Sequence, residues 1–181
     1  MANILILYST TDGHTIEICQ EIQSVCEQHE NVVELRSIAD AAGVDLSRYD
    51  KAVIGASIRY GKHSKSVLDY VQTHGKDLEK IPTAFFSVNV VARKPNKNKP
   101  DNNPYMQKFL QQVSWKPDQL EVFAGKIDYQ KCKFFDRQMI RLIMYITKGP
   151  TDPKSVNDFT NWEQVRVFGN VINNMKSMSL L

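Results

Sequence analysis

The first 27 residues place a strand, a polar turn and a helix in immediate succession. Ile4-Leu5-Ile6-Leu7 is a continuous apolar run, which is typical of a strand buried on both faces of a parallel sheet. The segment from Ser9 to Thr15 is rich in hydroxyl groups and contains Gly13. Apolar residues then recur at helical spacing from Thr15 to Glu27. A chain that starts in this way is constrained to an α/β fold.

The same alternation continues along the chain. Apolar runs predict further strands at 32–35, 52–55, 84–88 and 121–124, and helical spacing predicts helices at 66–78, 105–112 and 162–175. We therefore expect a doubly wound, five-stranded parallel sheet with helices on both faces, in one domain spanning 1–181. Such a fold binds its ligand at the carboxyl ends of the strands, where the strand order reverses.

Composition argues against several classes of protein. The formal net charge of +3 is small and its cations are mixed with acidic residues, so we expect no nucleic-acid partner. Cys19, Cys26 and Cys132 form no CxxC pair, which disfavours a disulfide framework or a metal site and favours a reducing cytosol. We find no signal peptide and no apolar run of the roughly 18 residues that a spanning helix needs.

The loop after the first strand carries chemistry suited to a phosphate. It offers the hydroxyl groups of Ser9, Thr10, Thr11 and Thr15, together with backbone N–H groups at a helix N-terminus, where the helix dipole favours an anion. The chain lacks Gly-x-x-x-x-Gly-Lys and Gly-x-Gly-x-x-Gly, so a monophosphate fits better than a nucleoside triphosphate or a dinucleotide. An ordinary helix cap by Asp12 or Thr15 is the alternative.

The loop after the third strand combines an aromatic residue with cations. Tyr60 lies between Arg59 and Lys62, after small residues at the end of the strand. Tyr60 could stack on a flat ring while a cation faces a second, anionic molecule. A surface tyrosine packed on its own loop is the alternative.

The loop after the fourth strand runs from Ser87 to Asn103 and is long for a connection. Its length predicts either a functional cover or partial disorder. Asn89, near the start of this loop, could form a hydrogen bond with the edge of a ring. His14 and His63, in the first two loops, could relay protons or be ordinary solvated residues.

The segment from Thr10 to Thr15 resembles the Thr-x-Thr-Gly-x-Thr loop of flavodoxins. Asp12 departs from that pattern, and we expect its carboxylate to turn away from the phosphate and cap the helix. The resemblance implies bound FMN, with the phosphate in this loop and the flavin ring between aromatic residues of later loops. The FMN contacts so implied are Ser9, Thr10, Thr11, Asp12, Gly13, His14, Thr15, Ser57, Ile58, Arg59, Tyr60, Gly61, Ser87, Val88 and Asn89.

Longer blocks, at 8–10, 12–13, 55–61, 87–89 and 91–95, resemble the bacterial flavodoxin-like protoporphyrinogen IX dehydrogenases. This resemblance implies oxidation of protoporphyrinogen IX to protoporphyrin IX in haem biosynthesis, with a respiratory quinone, menaquinone or ubiquinone, as electron acceptor. It also implies peripheral contact with the cytoplasmic side of the bacterial inner membrane. The substrate propionates would need cations, and the candidates are Arg59, Lys62, Arg93 and Lys94.

An insertion at about 127–158 follows the fifth strand. It contains an amphipathic helix that is predicted to end at Gly149-Pro150, with Arg137, Arg141 and Lys148 on its polar side. Ile140 and Met144 are expected to widen its apolar side. The candidates for contact with membrane or quinone are Phe134, Phe135, Met139, Leu142, Ile143 and Ile146. Packing against the protein's own core is the alternative.

Two other functions stay open at this point. A flavodoxin-type electron carrier, or another quinone reductase, would share the FMN site, although carriers of this kind usually need an acidic face and this chain is net basic. The second function is that of a non-enzymatic, membrane-associated module with a vestigial flavin site. Asp12 is the only feature in favour of this function. The sequence leaves association between copies of the chain open.

Overall fold

A computed structural model describes residues 1–176 of the chain. The strands in chain order are β1 Asn3–Ser9, β2 Val32–Ser37, β3 Lys51–Arg59, β4 Lys62–His63, β5 Thr83–Val88, β6 Gln119–Phe123, β7 Lys126–Asp128 and β8 Val156–Asp158. The α-helices are α1 His14–Glu27, α2 Lys65–Leu78, α3 Pro104–Gln112, α4 Phe134–Ile146 and α5 Trp162–Asn174.

The central sheet has five parallel strands in the order β2-β1-β3-β5-β6, which confirms the predicted doubly wound fold. The chain passes from β1 to β2 on one side of β1 and then to β3 on the other side. The order therefore reverses between β1 and β3, and a crevice is expected at the carboxyl ends of these two strands.

The continuous apolar run of β1 is explained by two separate cores. Ile4 and Ile6 pack with residues of α1 and α5 on one face of the sheet, while Leu5 and Leu7 pack with residues of α2 and α3 on the other. All four side chains are fully buried. Both faces of β1 are thus covered by helices, as the run of four apolar residues predicts.

The centre of the sheet is packed so tightly that one position requires glycine. Gly55 on β3 lies beside Phe86 on β5, and a Cβ atom at position 55 would lie 2.2 Å from the Cζ atom of the Phe86 ring. Phe86 also makes edge contacts with Phe123 and Phe168. Glycine at position 55 therefore lets an aromatic cluster lie directly on the backbone of a central strand.

The smaller elements were not predicted from the sequence. β3 continues into a hairpin with β4, and β7 pairs with β8 in an antiparallel ribbon at the base of the insertion. The long loop after β5 contains two 3-10 turns, at 90–93 and 95–97. The loop is thus compact, and α3 begins at its end with Asn103 as the N-cap residue.

The insertion helix α4 presents its apolar side to solvent. Phe134, Phe135, Met139, Leu142, Ile143 and Ile146 are all 48% or more exposed. Ile140 and Met144, which we expected on that same side, instead pack on a small cluster formed by Ile127 and Tyr129. That expectation was wrong because the β7–β8 ribbon offers an apolar surface that the sequence pattern did not reveal.

The polar side of α4 is turned toward the protein. Arg137 donates a hydrogen bond to the carbonyl oxygen of Cys132 at 3.1 Å, and Arg141 donates one to that of Thr151 at 3.0 Å. Both arginines are half-buried. The guanidinium groups therefore satisfy backbone carbonyls of the insertion instead of extending into water.

Within residues 1–176, no helix combines the length and apolar character needed to cross a membrane. Cys19 and Cys26 are fully buried on the inner side of α1, as their helical spacing predicts. Burial raises the pKa of the Cys26 thiol to about 11.

Candidate functional site

The loop after β1 is closed by Thr10 and Gly13. The backbone N–H of Gly13 donates to the Thr10 hydroxyl oxygen at 3.0 Å. Gly13 has a φ of 87° and is the N-cap residue of α1, and its carbonyl oxygen accepts from the N–H groups of Ile16 and Glu17. The left-handed conformation at Gly13 is one that few other residues adopt. It turns the chain from β1 directly into the helix.

Thr15 carries an unpaired polar group beside this turn. The residue is 1% exposed, and its hydroxyl oxygen has no hydrogen-bond partner. A buried hydroxyl without a partner is unfavourable. Thr15 also lies in the first turn of α1, where the N–H groups of His14 and Thr15 precede any acceptor within the helix and the dipole favours an anion. This turn therefore has the donors that a phosphate group requires, and it fits the phosphate of FMN.

Asp12 does not cap α1, in contrast to our expectation. Gly13 is the N-cap residue of α1, and no side chain forms a capping hydrogen bond there. The Asp12 carboxylate instead lies 3.9 Å from the Arg59 guanidinium on the neighbouring loop. The expectation was wrong because Gly13, and not Asp12, is the N-cap residue of α1. Glycine has no side chain that could form a capping hydrogen bond.

A cleft of about 310 Å³ separates the loops that follow β1 and β3. It lies at the carboxyl ends of the two strands between which the strand order reverses. Its walls are formed by Ser9, Thr10, Thr11, Ser57, Arg59, Tyr60, Lys62, His63 and Ser64. The cleft thus joins the hydroxyl groups of the first loop to the aromatic residue and cations of the second.

Tyr60 lies at the tip of the β3–β4 hairpin. It has a φ of 49°, and Gly61 beside it has a φ of 74°, so the two residues make a tight left-handed turn. The Tyr60 side chain is 61% exposed, and the Arg59 guanidinium lies 5.2 Å from its ring centroid. The ring therefore offers an open aromatic surface at the rim of the cleft.

The β3–β4 hairpin also contacts the insertion. Asp136, in the first turn of α4, accepts hydrogen bonds from Arg59 and from the Tyr60 hydroxyl group. Asp136 is not among the residues predicted from the sequence. An acidic residue in the first turn of a helix is common, so only the fold shows that this one reaches another loop.

The start of the third loop is buried and does not line the cleft. Asn89 is 4% exposed, donates to Ser87, and accepts from the backbone N–H of Ala92 and from Asn103. Val88 packs in the core between the sheet and α1. The Asn89 amide thus has its hydrogen bonds within the protein, and it holds the loop in shape instead of facing a ring edge.

Both loop histidines are buried, so the interpretation of solvated residues was wrong. His14 contacts Glu17 at 2.8 Å and the Thr160 hydroxyl at 2.6 Å, because the chain returning from the insertion covers the start of α1. His63 lies 3.0 Å from the Ser87 hydroxyl and packs on Phe85 and Phe109. Burial lowers the pKa of His63 to about 4.

The four candidate cations are divided by the fold. Arg59 and Lys62 line the cleft, whereas Arg93 and Lys94 do not. The Arg93 guanidinium donates to the carbonyl oxygen of Val90 and to the hydroxyl and carbonyl oxygens of Thr147. Arg93 thus links the third loop to the end of α4.

Comparison with known proteins agrees with this geometry. The profile of the flavodoxin domain matches residues 5–154. The chain is 42% identical over 174 residues to protoporphyrinogen IX dehydrogenase (quinone) of Escherichia coli strain K12, covering 93% of each chain. It is 43% identical over 165 residues to the Leishmania major protein of the same name, covering 91% of this chain and 71% of that one.

The chain belongs to the flavodoxin-like protoporphyrinogen IX dehydrogenase (quinone) family. Among solved structures, oxidised flavodoxin 1 from Bacillus cereus superimposes with a TM-score of 0.51 at 16% identity, covering 93% of this chain and 95% of that one. This similarity shows a shared fold. The family membership identifies FMN as the cofactor, and the hydroxyl-rich turn after β1 fits its phosphate.

Replacing Thr15 by valine tests the phosphate site. The change removes the unpaired hydroxyl while keeping the shape of the side chain. We expect FMN affinity to fall about tenfold, the loss of one hydrogen bond to a charged group, without loss of folding stability. Isothermal titration with FMN and with riboflavin, which has no phosphate, measures the effect.

Riboflavin affinity should not change in the Thr15→Val variant. Thr73→Val, on the exposed side of α2, is the matched control and should bind both flavins as the native protein does. An equal loss of affinity for FMN and riboflavin would place Thr15 outside the phosphate site.

The buried His63 predicts a loss of stability in acid. The folded state keeps His63 neutral down to about pH 4, whereas the unfolded chain takes up the proton near the ordinary pKa of 6.5. Lowering the pH from 6.5 to about 4 therefore lowers the free energy of unfolding. The loss is on the order of 3 kcal/mol at the lower pH. Urea unfolding from pH 7 to 4 should show a smaller loss of stability for His63→Gln than for the native protein.

His29→Gln is the control for this titration, because His29 is exposed. Its stability should follow that of the native protein at every pH. Parallel profiles for the native protein and His63→Gln would contradict a depressed pKa at His63.

Proposed function

We propose that the protein oxidises protoporphyrinogen IX to protoporphyrin IX in haem biosynthesis, using FMN, and passes the electrons to a respiratory quinone. The observation that carries this proposal is the 42% identity, over 93% of both chains, to a protein of that name. A match of this extent cannot leave out the segment 127–158. We infer from this extent that the insertion is part of the match.

The hydroxyl-rich turn is proposed to hold the cofactor. Thr10, Thr15 and the N–H groups of the first turn of α1 bind the phosphate, and Tyr60 packs against the flavin ring at the rim of the cleft. Bound FMN supplies the two-electron redox chemistry at this site. The described side chains position the cofactor and substrate, and none needs to act as a nucleophile.

The substrate is proposed to enter between the β3–β4 hairpin and the insertion. Porphyrinogen combines a large apolar ring with anionic propionates. Arg59 and Lys62 provide cations at the cleft, and the exposed apolar side of α4 lies beyond Asp136, which contacts the same hairpin. The polar and apolar parts of the substrate thus each have a matching surface.

Turnover is tested with the purified holoenzyme, protoporphyrinogen IX and a soluble menaquinone or ubiquinone analogue. We expect porphyrin fluorescence to rise in proportion to enzyme, with the quinone reduced in step. Anaerobic conditions remove spontaneous oxidation, and the protein freed of FMN is the control. Fluorescence that rises no faster than in this control would reject the enzyme in favour of an electron carrier.

Contact with the cytoplasmic side of the inner membrane is proposed to occur through α4. Its outward side is apolar, and the exposed Lys131, Lys133 and Lys148 flank it at both ends. An apolar helix face flanked by cations suits the interface of an anionic bilayer. A quinone dissolved in that bilayer would then reach the site without leaving the lipid.

Replacing Leu142 and Ile143 with aspartate tests this contact. Both side chains are at least half exposed, so the fold and FMN content should be retained. Binding to vesicles of phosphatidylethanolamine and phosphatidylglycerol, measured by sedimentation, should fall more than about tenfold, because two charges enter the apolar interface.

The matched control is Val167→Asp, since Val167 is 53% exposed on α5. This variant should bind vesicles as the native protein does. Loss of FMN or of folding in the α4 variant would show instead that this side of the helix is needed by the protein's own structure.

A further inference from the structure

One carboxylate of the insertion contacts two of the cleft residues on the β3–β4 hairpin. Asp136 Oδ2 accepts a hydrogen bond from Arg59 Nη2 at 2.5 Å, and Asp136 Oδ1 accepts one from the Tyr60 hydroxyl group. The Asp136 side chain is only 16% exposed, whereas that of Arg59 is 40% exposed. Arg59 thus faces the cleft while one of its nitrogens is held by a carboxylate of the chain itself.

We propose that Asp136 is a specificity-determining residue: its carboxylate occupies Arg59 and Tyr60 in the free protein, and a carboxylate of the substrate displaces it on binding. The inference rests on the proposed function, because it assumes a substrate with free carboxyl groups. It adds a residue on the insertion that selects for those groups.

Arg59 is the cation best placed to bind a carboxylate of the substrate. Arg93 does not line the cleft, and its guanidinium donates to two carbonyl oxygens and to the Thr147 hydroxyl. Of the two cations at the cleft, Arg59 alone has a planar fork of donors that can bind a carboxylate through two parallel hydrogen bonds. A carboxylate that enters the cleft therefore competes with Asp136 for the same group.

The contact between Arg59 and Asp136 is suited to exchange. An ion pair with a partly exposed partner contributes little net stability, because water solvates the charges when the pair opens. Exchange of one carboxylate for another also preserves the charge balance at Arg59. The hydroxyl of Tyr60 loses its acceptor in the same step.

This arrangement discriminates between free carboxyl groups and their esters. An ester has no negative charge with which to displace Asp136, so it must bind while Arg59 stays paired. A substrate carboxylate gains Arg59 but has to compete with Asp136. Removing the charge at position 136 should therefore strengthen the binding of the acid and leave the binding of the ester unchanged.

The test uses Asp136→Asn, which keeps the size of the side chain and removes its charge. Equilibrium binding of protoporphyrin IX and of its dimethyl ester to the holoenzyme is followed by quenching of porphyrin fluorescence. We expect the dissociation constant of the diacid to fall about three- to tenfold and that of the diester to stay the same. The KM values of the two porphyrinogens should change in the same way, with kcat little altered.

Asp69→Asn is the matched control, since Asp69 forms an exposed ion pair with Lys65 on α2. It should bind both porphyrins as the native protein does. FMN content and circular dichroism establish that Asp136→Asn folds. Arg59→Gln supplies a second test and should weaken binding of the diacid while sparing the diester.

Three results would overturn the inference. Equal changes for diacid and diester in Asp136→Asn would give Asp136 a merely structural role. Unchanged binding of the diacid would show that Asp136 does not compete. A native holoenzyme that neither binds nor oxidises either porphyrin form would reject the proposed function itself, and the inference with it.

Discussion

β1 is buried on both faces of the sheet, and the site takes its position from this strand. Burial of Ile4, Leu5, Ile6 and Leu7 between two sets of helices fixes the position of β1 at the centre of the order β2-β1-β3-β5-β6. Because the order reverses beside β1, the turn that follows it opens into a crevice instead of being covered by a neighbouring connection. The left-handed turn at Gly13 then leads the chain from this crevice into α1.

The second part of the site depends on opposite charges that join separate segments. Arg59 on the hairpin lies between Asp12 of the loop after β1 and Asp136 of the insertion. Tyr60 lies in the left-handed turn at the tip of the β3–β4 hairpin, and its hydroxyl group donates to Asp136. The insertion therefore contacts the wall of the cleft directly.

Sequence patterns predicted the local structure correctly where the pattern itself follows from burial. The apolar run of β1, the helical spacing of Cys19 and Cys26, and the glycine-containing turn all predicted their local structure correctly. The patterns failed where a contact joins distant segments. His14 is buried by Thr160, and Asp136 reaches Tyr60 across 76 positions, and neither contact has a local signal.

The insertion shows a further limit of predictions based on helical periodicity. A helical wheel separates Arg137 and Arg141 from Leu142 and Ile143, but it does not say which side packs on the protein. The answer depends on carbonyl groups at Cys132 and Thr151 that need donors. Hydrogen bonding to these carbonyls, together with the small apolar cluster around Met144, directs the arginines inward and leaves the apolar side outward.

With FMN bound at Thr15 as proposed, the unpaired hydroxyl of this residue would link the abundance of the folded protein to the supply of its cofactor. A chain that carries a buried polar group without a partner folds at a disadvantage until a ligand provides one. Each bound phosphate shifts the equilibrium toward the folded state by mass action, to an extent set by the ratio of free cofactor to its dissociation constant. Cells short of flavin would then hold less of the folded enzyme, since unfolded chains are removed by proteolysis.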